Sequence, residues 1–379
     1  MKIRFLKHEM MLFELLHAAI TKKAADTILF KDCTAEDWNK CRSLTIEHGV
    51  MALAWEGVMT LPDEYLPPKK LKILWGIAVE EYEKRYFKYC DAAQRLTAFY
   101  SQHGIETVVL KGVGLSTCYS TPSHREGGDI DIYTYSADPG KLEHAKANAL
   151  ADQLAMQQGS IVNYESQKHS TFYYRNIPIE NHKTFLDIKT NRLAQKVESI
   201  LHQEITPSPI KLYNDQCIIK IPSPTFNLIF GAFHTLQHCV NGIALHHLCD
   251  WAFLTQRYSL VTEQLVNQNY LVDDPYFTDA VNALSECTNL ILGTKIKTSG
   301  IKNEVVETIL FETFRSKYQD RFFLKRTHTH PCDKLKRFVH FIRLRKILFN
   351  ESYHECFYES FRKCIRSPKK LFDNPIHSN

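Results

Sequence analysis

The chain has 379 residues, of which 44% are hydrophobic and 23% are charged, a composition ordinary for a globular protein. This length predicts two or three domains, and no apolar run is long enough to cross a bilayer. The first nine residues carry basic side chains without an apolar core, so we expect no signal peptide. The 11 cysteines are scattered without a C-x-x-C pair, which predicts reduced thiols and a cytoplasmic protein.

The formal net charge of +5 is unevenly distributed. Residues 321–379 hold 14 Lys and Arg against 5 Asp and Glu, a surplus of nine positive charges, so the rest of the chain sums to −4. A basic C-terminal region of this kind can bind an anionic partner such as nucleic acid or a membrane surface. The alternative interpretation is a solvated helical face rich in Lys and Arg.

Apolar residues recur at helical spacing through residues 1–103, so we expect this segment to be entirely helical and to carry no site residue. Thr34 is a candidate N-cap, because Glu36 and Asp37 then fall in the first turn of its helix. Gly104 is well placed to end the last helix of the segment. The predicted helices cover residues 3–29, a second stretch that begins after Thr34, and residues 69–103.

The middle of the chain, residues 104–222, mixes strands and helices. Residues 105–110 are apolar and β-branched, which is typical of a buried strand. Residues 170–175 and 179–186 are predicted to pair as a hairpin, because only a short turn separates them. We therefore expect a small mixed sheet. The further predicted elements are strands at 129–134 and 218–221 and helices at 113–119, 139–158 and 187–204.

From residue 223 onward the pattern is helical again. The expected fold class is therefore α+β, with a small mixed-sheet core in residues 104–222. A helical N-terminal segment (1–103) and a helical C-terminal domain (223–379) are expected to flank it. The predicted C-terminal helices begin at 225 and cover 280–292, 304–314, 333–348 and 353–366.

The stretch from Val108 to Tyr133 carries the strongest candidate site. Asp129 and Asp131 stand two residues apart on a predicted strand, so their carboxylates are expected to face the same side. Two like charges held this close repel each other. A divalent cation between them would relieve the repulsion, and Mg²⁺ is commonly bound by one or two carboxylates together with substrate phosphates.

A glycine turn precedes this aspartate pair. Gly112 and Gly114 follow a predicted strand, where free amides at the start of the next helix favour an anion such as phosphate. Lys111 adds a positive charge at the same place. The turn lacks the third Gly of a dinucleotide-binding fingerprint and the Gly-Lys-Ser/Thr of a P-loop. The alternative interpretation is a plain strand-to-helix turn.

These motifs together resemble a bacterial family of nucleotidyltransferases within the polymerase-β-like superfamily, over about residues 44–254. The sequence departs from the superfamily pattern because Lys-Gly-Val-Gly replaces the usual Gly-Gly or Gly-Ser pair. It also has His246 where the family commonly has Arg. The residues that carry the resemblance are Leu110-Lys111-Gly112, Tyr119, Arg125, Gly128-Asp129-Ile130-Asp131, and the stretch from Gly242 to Trp251.

The resemblance implies transfer of an NMP group from a nucleoside triphosphate, with ATP among the candidates, to an unidentified acceptor, with release of pyrophosphate. Asp129 and Asp131 would hold two Mg²⁺ ions, or Mn²⁺ in their place. The superfamily also implies a third carboxylate on an adjacent strand, either Glu180 or Asp187. Glu180 is the first candidate, because it alternates with an apolar neighbour and so faces away from the core.

The two histidines nearest to Glu180 are further candidates for this site. His182 lies on the same side of its strand as Glu180, and His169 could also reach it. The resemblance further implies that the glycine turn and the following loop bind the triphosphate. The residues expected to do so are Lys111, Gly112, Gly114, Arg125 and Gly128.

The acceptor is open at this point: a small molecule, a sugar, tRNA or a protein would each be consistent with the motifs. One alternative is a toxin-like enzyme that modifies tRNA or protein, for which the basic C-terminal region is the supporting feature. Another is a non-catalytic nucleotide-binding protein. The retention of two crowded carboxylates argues against the latter, since a site without a metal has no need of them.

Several histidine-rich stretches invite a metal-binding interpretation. His234 and His238 have i, i+4 spacing on a predicted helix but lack the Glu that follows the first His in zinc proteases. None of these stretches has a partner motif, so we interpret them as structural, with Asp250 as a cap or ion-pair partner within the helical domain. The other clusters are His246, His247 and Cys249, and His328, His330 and Cys332.

Overall fold

The computed structural model describes residues 3–138, 143–188, 192–212, 217–267, 272–316, 331–349 and 351. Helices pack around a small mixed sheet of four strands, so the expected α+β fold class is confirmed. No helix of this described part is both long and apolar enough to cross a membrane. The predicted helix at 353–366, the cluster at 328–332 and much of the basic region lie outside the described residues.

The N-terminal segment begins with a helix that is shorter than predicted. Helix α1 spans Lys7–Thr21 rather than residues 3–29, because Lys22 adopts a left-handed backbone conformation (φ 56°) and ends it. The predicted N-cap at Thr34 is confirmed. Its hydroxyl accepts a hydrogen bond from the Asp37 amide at 3.1 Å, and the Asp37 carboxylate accepts one from the Thr34 amide at 3.0 Å. Helix α2 (Ala35–His48) follows this cap.

The long helix predicted at residues 69–103 is confirmed. Helix α4 spans Lys69–Ser101, and Gly104 (φ 73°) lies in the turn that follows it. Helix α3 spans Met51–Val58 and packs against α1.

The sheet has the order β1-β2-β4-β3. Strands β1 and β2 pair antiparallel, β2 and β4 pair parallel, and β3 and β4 form the predicted antiparallel hairpin. The hairpin turn lies at Arg175 and Asn176, both with positive φ, so Pro178 belongs to the strand and not to the turn. The strands are β1 Ile105–Val109, β2 Ile130–Ser136, β3 His169–Tyr174 and β4 Ile177–His182.

Four elements of the middle segment, three helices and one strand, differ from the sequence-based expectation. Helix α5 (Val113–Ser116) is a single turn, and α6 spans His144–Gln157. Helix α7 spans Arg192–Glu204, so Asp187 and Ile188 precede it. A second sheet pairs β5 (Ser208–Leu212) with β6 (Cys217–Ile221). Strand β5 was missed because Pro209 lies within it and argues against a strand.

The described residues from 224 onward form helices joined by short connections, as predicted for this part of the chain. One buried apolar cluster extends through α1, α9 and α11, so helices from both ends of the chain share a core. The Arg315 guanidinium also reaches Glu9 of α1, with Nη1–Oε1 and Nη2–Oε2 distances of 2.6 and 2.7 Å. The helices are α8 Pro224–Asn241, α9 Leu245–Arg257, α10 Ser259–Asn267, α11 Pro275–Leu292, α12 Asn303–Phe314 and α13 Pro331–Phe349.

The contact between α1 and α3 gives a prediction about stability. A Cβ atom on Gly57 would lie 2.1 Å from the Leu15 carbonyl oxygen, which is backbone and cannot rotate away. We therefore expect Gly57→Ala to lower the free energy of unfolding by about 3 kcal/mol or more, as measured by chemical denaturation.

Gly76→Ala is the matched control, since Gly76 also lies within a helix. Its added Cβ would meet only the Trp55 ring, at an ordinary 3.4 Å. We expect this variant to be about 0.5–1 kcal/mol more stable than the native chain, because Ala is the better helix former. Equal effects at the two positions would contradict the described packing of α1 on α3.

Candidate active site

The candidate site is centred on Asp131 in strand β2. The parallel register of β2 and β4 sets Asp131 directly beside Glu180. The Asp131 side chain is fully buried, and its Oδ1 accepts hydrogen bonds from Lys111 Nζ at 3.0 Å and His182 Nε2 at 2.9 Å. Burial alone would raise the pKa of this carboxyl, but Lys111 and His182 outweigh it and hold the pKa well below its usual range.

One oxygen of this carboxylate is not satisfied by protein. Asp131 Oδ2 is buried and has no hydrogen-bond partner among the described residues. Leaving a buried charged oxygen unpaired is costly. A ligand that contributes positive charge at this atom would remove the cost.

Asp131, Glu180 and His182 form a group whose nitrogen and oxygen atoms can converge on a metal ion. One candidate ligand atom from each residue lies within 4.8 Å of those from the other two. Among the described residues, this is the one group of at least three His, Cys, Asp or Glu side chains that meets this distance criterion. Glu180 Oε2 lies 3.6 Å from His182 Nε2. Two carboxylates and an imidazole, together with the unpaired Asp131 oxygen, fit a divalent cation.

Asp129 lies at the edge of this group and not within it. It precedes β2, which begins at Ile130, so the expectation that both aspartates belong to one strand was wrong. Its carbonyl oxygen lies close to the glycine turn, because a Cβ added to Gly112 would be 3.2 Å from it. The negative charge of Asp131, followed by burial, raises the pKa of Asp129 to about 6, so the two carboxylates are close in space.

The two candidates for the third carboxylate differ in position. Glu180 lies in β4 beside Asp131, whereas Asp187 lies beyond the end of β4 and outside the metal-binding group. His182 faces the same side as Glu180, as expected, and His169 Nε2 approaches Glu180 Oε2 to 3.5 Å. Burial lowers the pKa of His169 to about 4, so this imidazole is neutral near pH 7.

Lys111 lies in the turn after β1, where it was expected to bind phosphate. Burial opposes its charge, but Asp131, Asp129 and Glu180 outweigh that effect and raise the pKa of its ammonium. Lys111 therefore stays charged and neutralises part of the carboxylate cluster. A phosphate that binds here would share this ammonium with Asp131.

Gly112 and Gly114 are each favoured over other residues in this turn, but for different structural reasons. Gly112 has φ 60° and ψ −117°, a conformation that strongly favours glycine. Gly114 lies close to β1, because an added Cβ would be 2.8 Å from the Val109 carbonyl oxygen and 3.1 Å from Ile221. Since α5 is one turn long, its dipole adds little, and the backbone amides themselves are what the turn offers to an anion.

Arg125 is held by a bidentate ion pair. Its Nε and Nη2 donate to Asp250 Oδ1 and Oδ2 at 2.9 and 2.8 Å, and the Tyr119 hydroxyl donates to Asp250 Oδ1 at 2.6 Å. Burial opposes the charge of Arg125, but the carboxylate of Asp250 outweighs it and raises its pKa. The pair fastens the loop before β2 to helix α9, which leaves Nη1 as the part of the guanidinium available to a ligand.

His124 fastens the same loop to the N-terminal helices. Its Nδ1 lies 2.6 Å from Glu56 Oε1 on α3, and its Nε2 lies 2.9 Å from Glu83 Oε1 on α4. Burial opposes the charged ring, but the two carboxylates outweigh it and raise the pKa of His124. Gly128, in the same loop, is exposed, and its carbonyl oxygen accepts a hydrogen bond from the Tyr89 hydroxyl at 3.0 Å.

Sequence reasoning missed two contributions to the site. Lys168, just before β3, lies beside the carboxylates, and burial followed by the charge of Lys111 lowers its pKa to about 8. The N-terminal segment was expected to carry no site residue, but helix α4 lines a narrow pocket beside Asp129. The residues lining this pocket include Tyr82, Arg85, Tyr89, Gly112, Arg125 and Asp129. The Tyr and Arg residues that recur at helical spacing in α4 were the sequence signal that could have indicated this wall of the site.

Buried carboxylates beside a glycine turn and a lysine are typical of enzymes that transfer phosphoryl or nucleotidyl groups with a metal ion. A sequence model of the family described as "Uncharacterised nucleotidyltransferase" matches residues 34–274, more than half of the chain, and the protein belongs to this family. The matched region includes all four strands of the main sheet and helices α8 and α9. No curated protein and no solved structure gives a significant match.

The buried Arg125–Asp250 pair gives a second prediction. The two side chains are only 10% and 15% exposed, so Arg125→Met leaves a carboxylate buried without its cation. We expect a loss of about 3–5 kcal/mol in the free energy of unfolding, measured by urea denaturation. Lys297→Met is the control, since its pair with Glu263 is 69% and 48% exposed, and we expect a loss of about 0.5 kcal/mol or less. Similar losses in the two variants would contradict the buried pair.

The His124 contacts give a prediction about pH. Because the folded-state pKa of His124 is raised, its stabilising contribution is fully present below the unfolded pKa of about 6.5 and is lost as the pH rises through the folded pKa. The free energy of unfolding lost in His124→Gln should therefore be larger at about pH 6 than at about pH 9. His103→Gln, exposed at the end of α4, should show no such difference. A His124→Gln loss that is independent of pH would exclude the charged ring.

Proposed function

We propose that this protein is a nucleotidyltransferase of the polymerase-β-like type that transfers an NMP group from a nucleoside triphosphate to an acceptor. The observation that carries the proposal is the buried group of Asp131, Glu180 and His182, with its unpaired carboxylate oxygen, in a chain of a nucleotidyltransferase family. In the reaction, an acceptor oxygen forms a bond to the α-phosphorus while the bond between the α-phosphorus and the bridging oxygen breaks. Pyrophosphate leaves with the electron pair, and the acceptor proton passes to a base or to water.

We assign the metal-binding role to Asp131, Glu180 and His182, with Asp129 completing a second position. Mg²⁺ is the expected ion and Mn²⁺ the alternative, because carboxylates suit both. Such ions lower the pKa of an attacking hydroxyl and stabilise the charge that develops on the triphosphate. Without a metal ion, Lys111 Nζ and His182 Nε2 donate to Asp131 and keep it ionised at neutral pH. An ion bound to His182 Nε2 would replace that hydrogen bond, and the ion and Lys111 would then compensate the carboxylate.

The nucleotide is assigned to the side of the cluster on which Asp129 lies. The pocket there combines Arg85 and Arg125 with tyrosines from α4, and these groups suit phosphates and an aromatic base. Lys111 and the Gly112 amide would bind phosphate oxygens, with Gly128 in the adjoining loop. The Gly114 amide donates to the Lys111 carbonyl oxygen at 3.1 Å, so Gly114 would serve the phosphate site by shaping the turn. ATP is the first nucleotide to test.

Glu180 has two candidate roles, as a metal ligand and as the acceptor of the proton from the attacking group. Its position beside Asp131, partly open to solvent, suits both. Residues 104–222 would then form the catalytic core, with the helical segments 1–103 and 223–379 supplying further walls of the site.

Removal of the metal-binding carboxylates tests the proposal. Asp131→Asn and Glu180→Gln should each lower the rate of metal-dependent nucleotidyl transfer by about a hundredfold or more, because the ion contributes several kcal/mol to the transition state. The measurement is transfer of label from α-labelled nucleoside triphosphates to acceptors in a lysate, with Mg²⁺ or with chelator, and pyrophosphate release in parallel.

Asp91→Asn is the matched control, since Asp91 lies on the surface of α4 in ion pairs with Arg95 and Arg175. It should retain native activity. The melting temperature of each variant is first compared with that of the native protein, because substitution of the buried Asp131 can also destabilise the fold. If Asp131→Asn and Glu180→Gln label acceptors as fast as the native protein, the proposed function is wrong.

A further inference from the structure

His182 lies where three neighbouring strands place side chains on the same face of the sheet. The parallel register sets Asp131 of β2 beside Glu180 of β4, and His182 follows two residues later on the same side of β4. The antiparallel register sets His182 opposite His169 of β3, and the centroids of the two rings are 5.3 Å apart. Two carboxylates and two imidazoles therefore meet on this face.

Both ring nitrogens of His182 face oxygen atoms that only accept hydrogen bonds. Nδ1 lies 3.1 Å from the Thr184 carbonyl oxygen, and Nε2 lies 2.9 Å from Asp131 Oδ1. A neutral imidazole carries one proton and can donate to only one of these oxygens. The ring must therefore carry both protons, or a cation must lie between its second nitrogen and the facing oxygen. Nε2 is the nitrogen suited to a cation, because it faces two carboxylates, whereas Nδ1 faces a single carbonyl group.

The distances around His182 Nε2 fit a bound metal ion. A histidine that binds a metal through one nitrogen usually donates the other N–H to a carbonyl or carboxylate oxygen, as His182 Nδ1 can to Thr184. Adjacent ligand atoms are about 3.0–3.5 Å apart when each bond to the ion is about 2.1 Å long. His182 Nε2 lies 2.9 Å from Asp131 Oδ1 and 3.6 Å from Glu180 Oε2. The three side chains thus already have the spacing of metal ligands.

The neighbouring groups leave room for an ion in this position. Lys111 Nζ engages Asp131 Oδ1 at 3.0 Å, whereas the buried Oδ2 has no partner among the described residues and can also serve as a ligand. His169 Nε2 lies 3.5 Å from Glu180 Oε2 and lies outside the group of three ligand atoms, so it can orient this carboxylate. Glu180 is partly exposed, which provides a path for the ion from solvent.

The imidazole determines which ions this group favours. Mg²⁺ prefers oxygen ligands in an octahedral arrangement and keeps several water molecules. Imidazole suits Zn²⁺, Fe²⁺, Ni²⁺ and Cu²⁺, whereas carboxylates also suit Mg²⁺ and Mn²⁺. Catalytic zinc sites use three protein ligands, with His and carboxylates among them, and keep a further position open. Two carboxylates and one imidazole therefore favour such a transition-metal ion over Mg²⁺.

We propose that Asp131, Glu180 and His182 hold a transition-metal ion that accepts imidazole, such as Zn²⁺ or Fe²⁺, and that His182 determines this preference. For the role of the ion, the inference rests on the proposed function. When bound, such an ion lowers the pKa of a hydroxyl group at its open position, and in the proposed reaction this is the hydroxyl of the acceptor. Mg²⁺ is then the ion expected only at the second position, beside Asp129, where the triphosphate supplies further oxygen ligands.

Co²⁺ is the probe that tests the site, because it takes imidazole ligands and is paramagnetic. The full-length protein, stripped of metal with a chelator, is titrated with Co²⁺ and followed by proton NMR and calorimetry. The native protein should show a paramagnetically shifted, exchangeable N–H signal from His182 Nδ1, which its bond to Thr184 protects. His182→Asn should remove the signal and weaken Co²⁺ binding about a hundredfold or more, since even the loss of a partner of a metal ligand costs about 10–100-fold. Its affinity for Mg²⁺ should be nearly unchanged.

His238→Asn is the matched control, because His238 Nε2 and His234 Nε2 are 3.0 Å apart and form another pair of imidazoles that Co²⁺ could bind. This variant should keep the shifted signal and the native Co²⁺ affinity. The signal of the native protein and its persistence in His238→Asn keep the test valid should His182→Asn, which alters a buried residue, fail to fold. Absence of the signal in the native protein, its loss in His238→Asn, or an equal loss of Co²⁺ and Mg²⁺ affinity in His182→Asn would each overturn the inference.

Nucleotidyl transfer, measured on the same samples, separates the two proposals. If the native protein binds Co²⁺ through His182 but transfers no nucleotide with any combination of Zn²⁺, Fe²⁺, Co²⁺ and Mg²⁺, the proposed function fails and the transition-metal site stands. If the stripped protein transfers label with Mg²⁺ alone and shows no shifted N–H signal with Co²⁺, the proposed function stands and the transition-metal site is excluded.

Discussion

The buried carboxylate of Asp131 is the constraint on which the site depends. A charge removed from water without compensation costs several kcal/mol, and here Lys111 from the turn after β1 and His182 from β4 compensate it. Both partners require the particular sheet order in which β2 lies between β1 and β4. Because one oxygen remains unpaired, the fold is arranged around a charge that it only partly neutralises.

Local sequence signals predicted much of the fold. Few of the contacts between segments that are distant in sequence could be predicted. The cap at Thr34, the hairpin of β3 and β4 and the aspartate pair are readable because each depends on a few neighbouring residues. The bond from His182 to Asp131 is not readable from the sequence, since it joins residues 51 positions apart through the parallel register of β2 and β4, which spacing alone does not reveal. The start of β2 at Ile130, after Asp129, is likewise not readable, since alternation of side chains does not fix where a strand begins.

The loop between α5 and β2 shows how the flanking helices belong to the site. Arg125 ties it to α9 through Asp250, and His124 ties it to α3 and α4 through Glu56 and Glu83. Five charged side chains thus fix the 13 residues between α5 and β2. A loop held this way positions Asp129 from both sides, so the sheet supplies Asp131 and Glu180 of the candidate site while the flanking helices hold the loop that carries Asp129.

The carboxylate cluster has two unlike sides, and a transfer between two substrates requires two approaches. In-line displacement places the attacking and leaving oxygens on opposite sides of the phosphorus atom, so one surface cannot serve both. The side of Asp129 offers arginines and tyrosines from α4 and the loop, groups that suit a nucleotide. The side of Glu180 offers His169, whose Nε2 lies 3.5 Å from Glu180 Oε2 and whose ring burial keeps neutral near pH 7. The two sides therefore differ in charge as well as in shape, because guanidinium and tyrosine groups line one side and a carboxylate with a neutral imidazole lines the other.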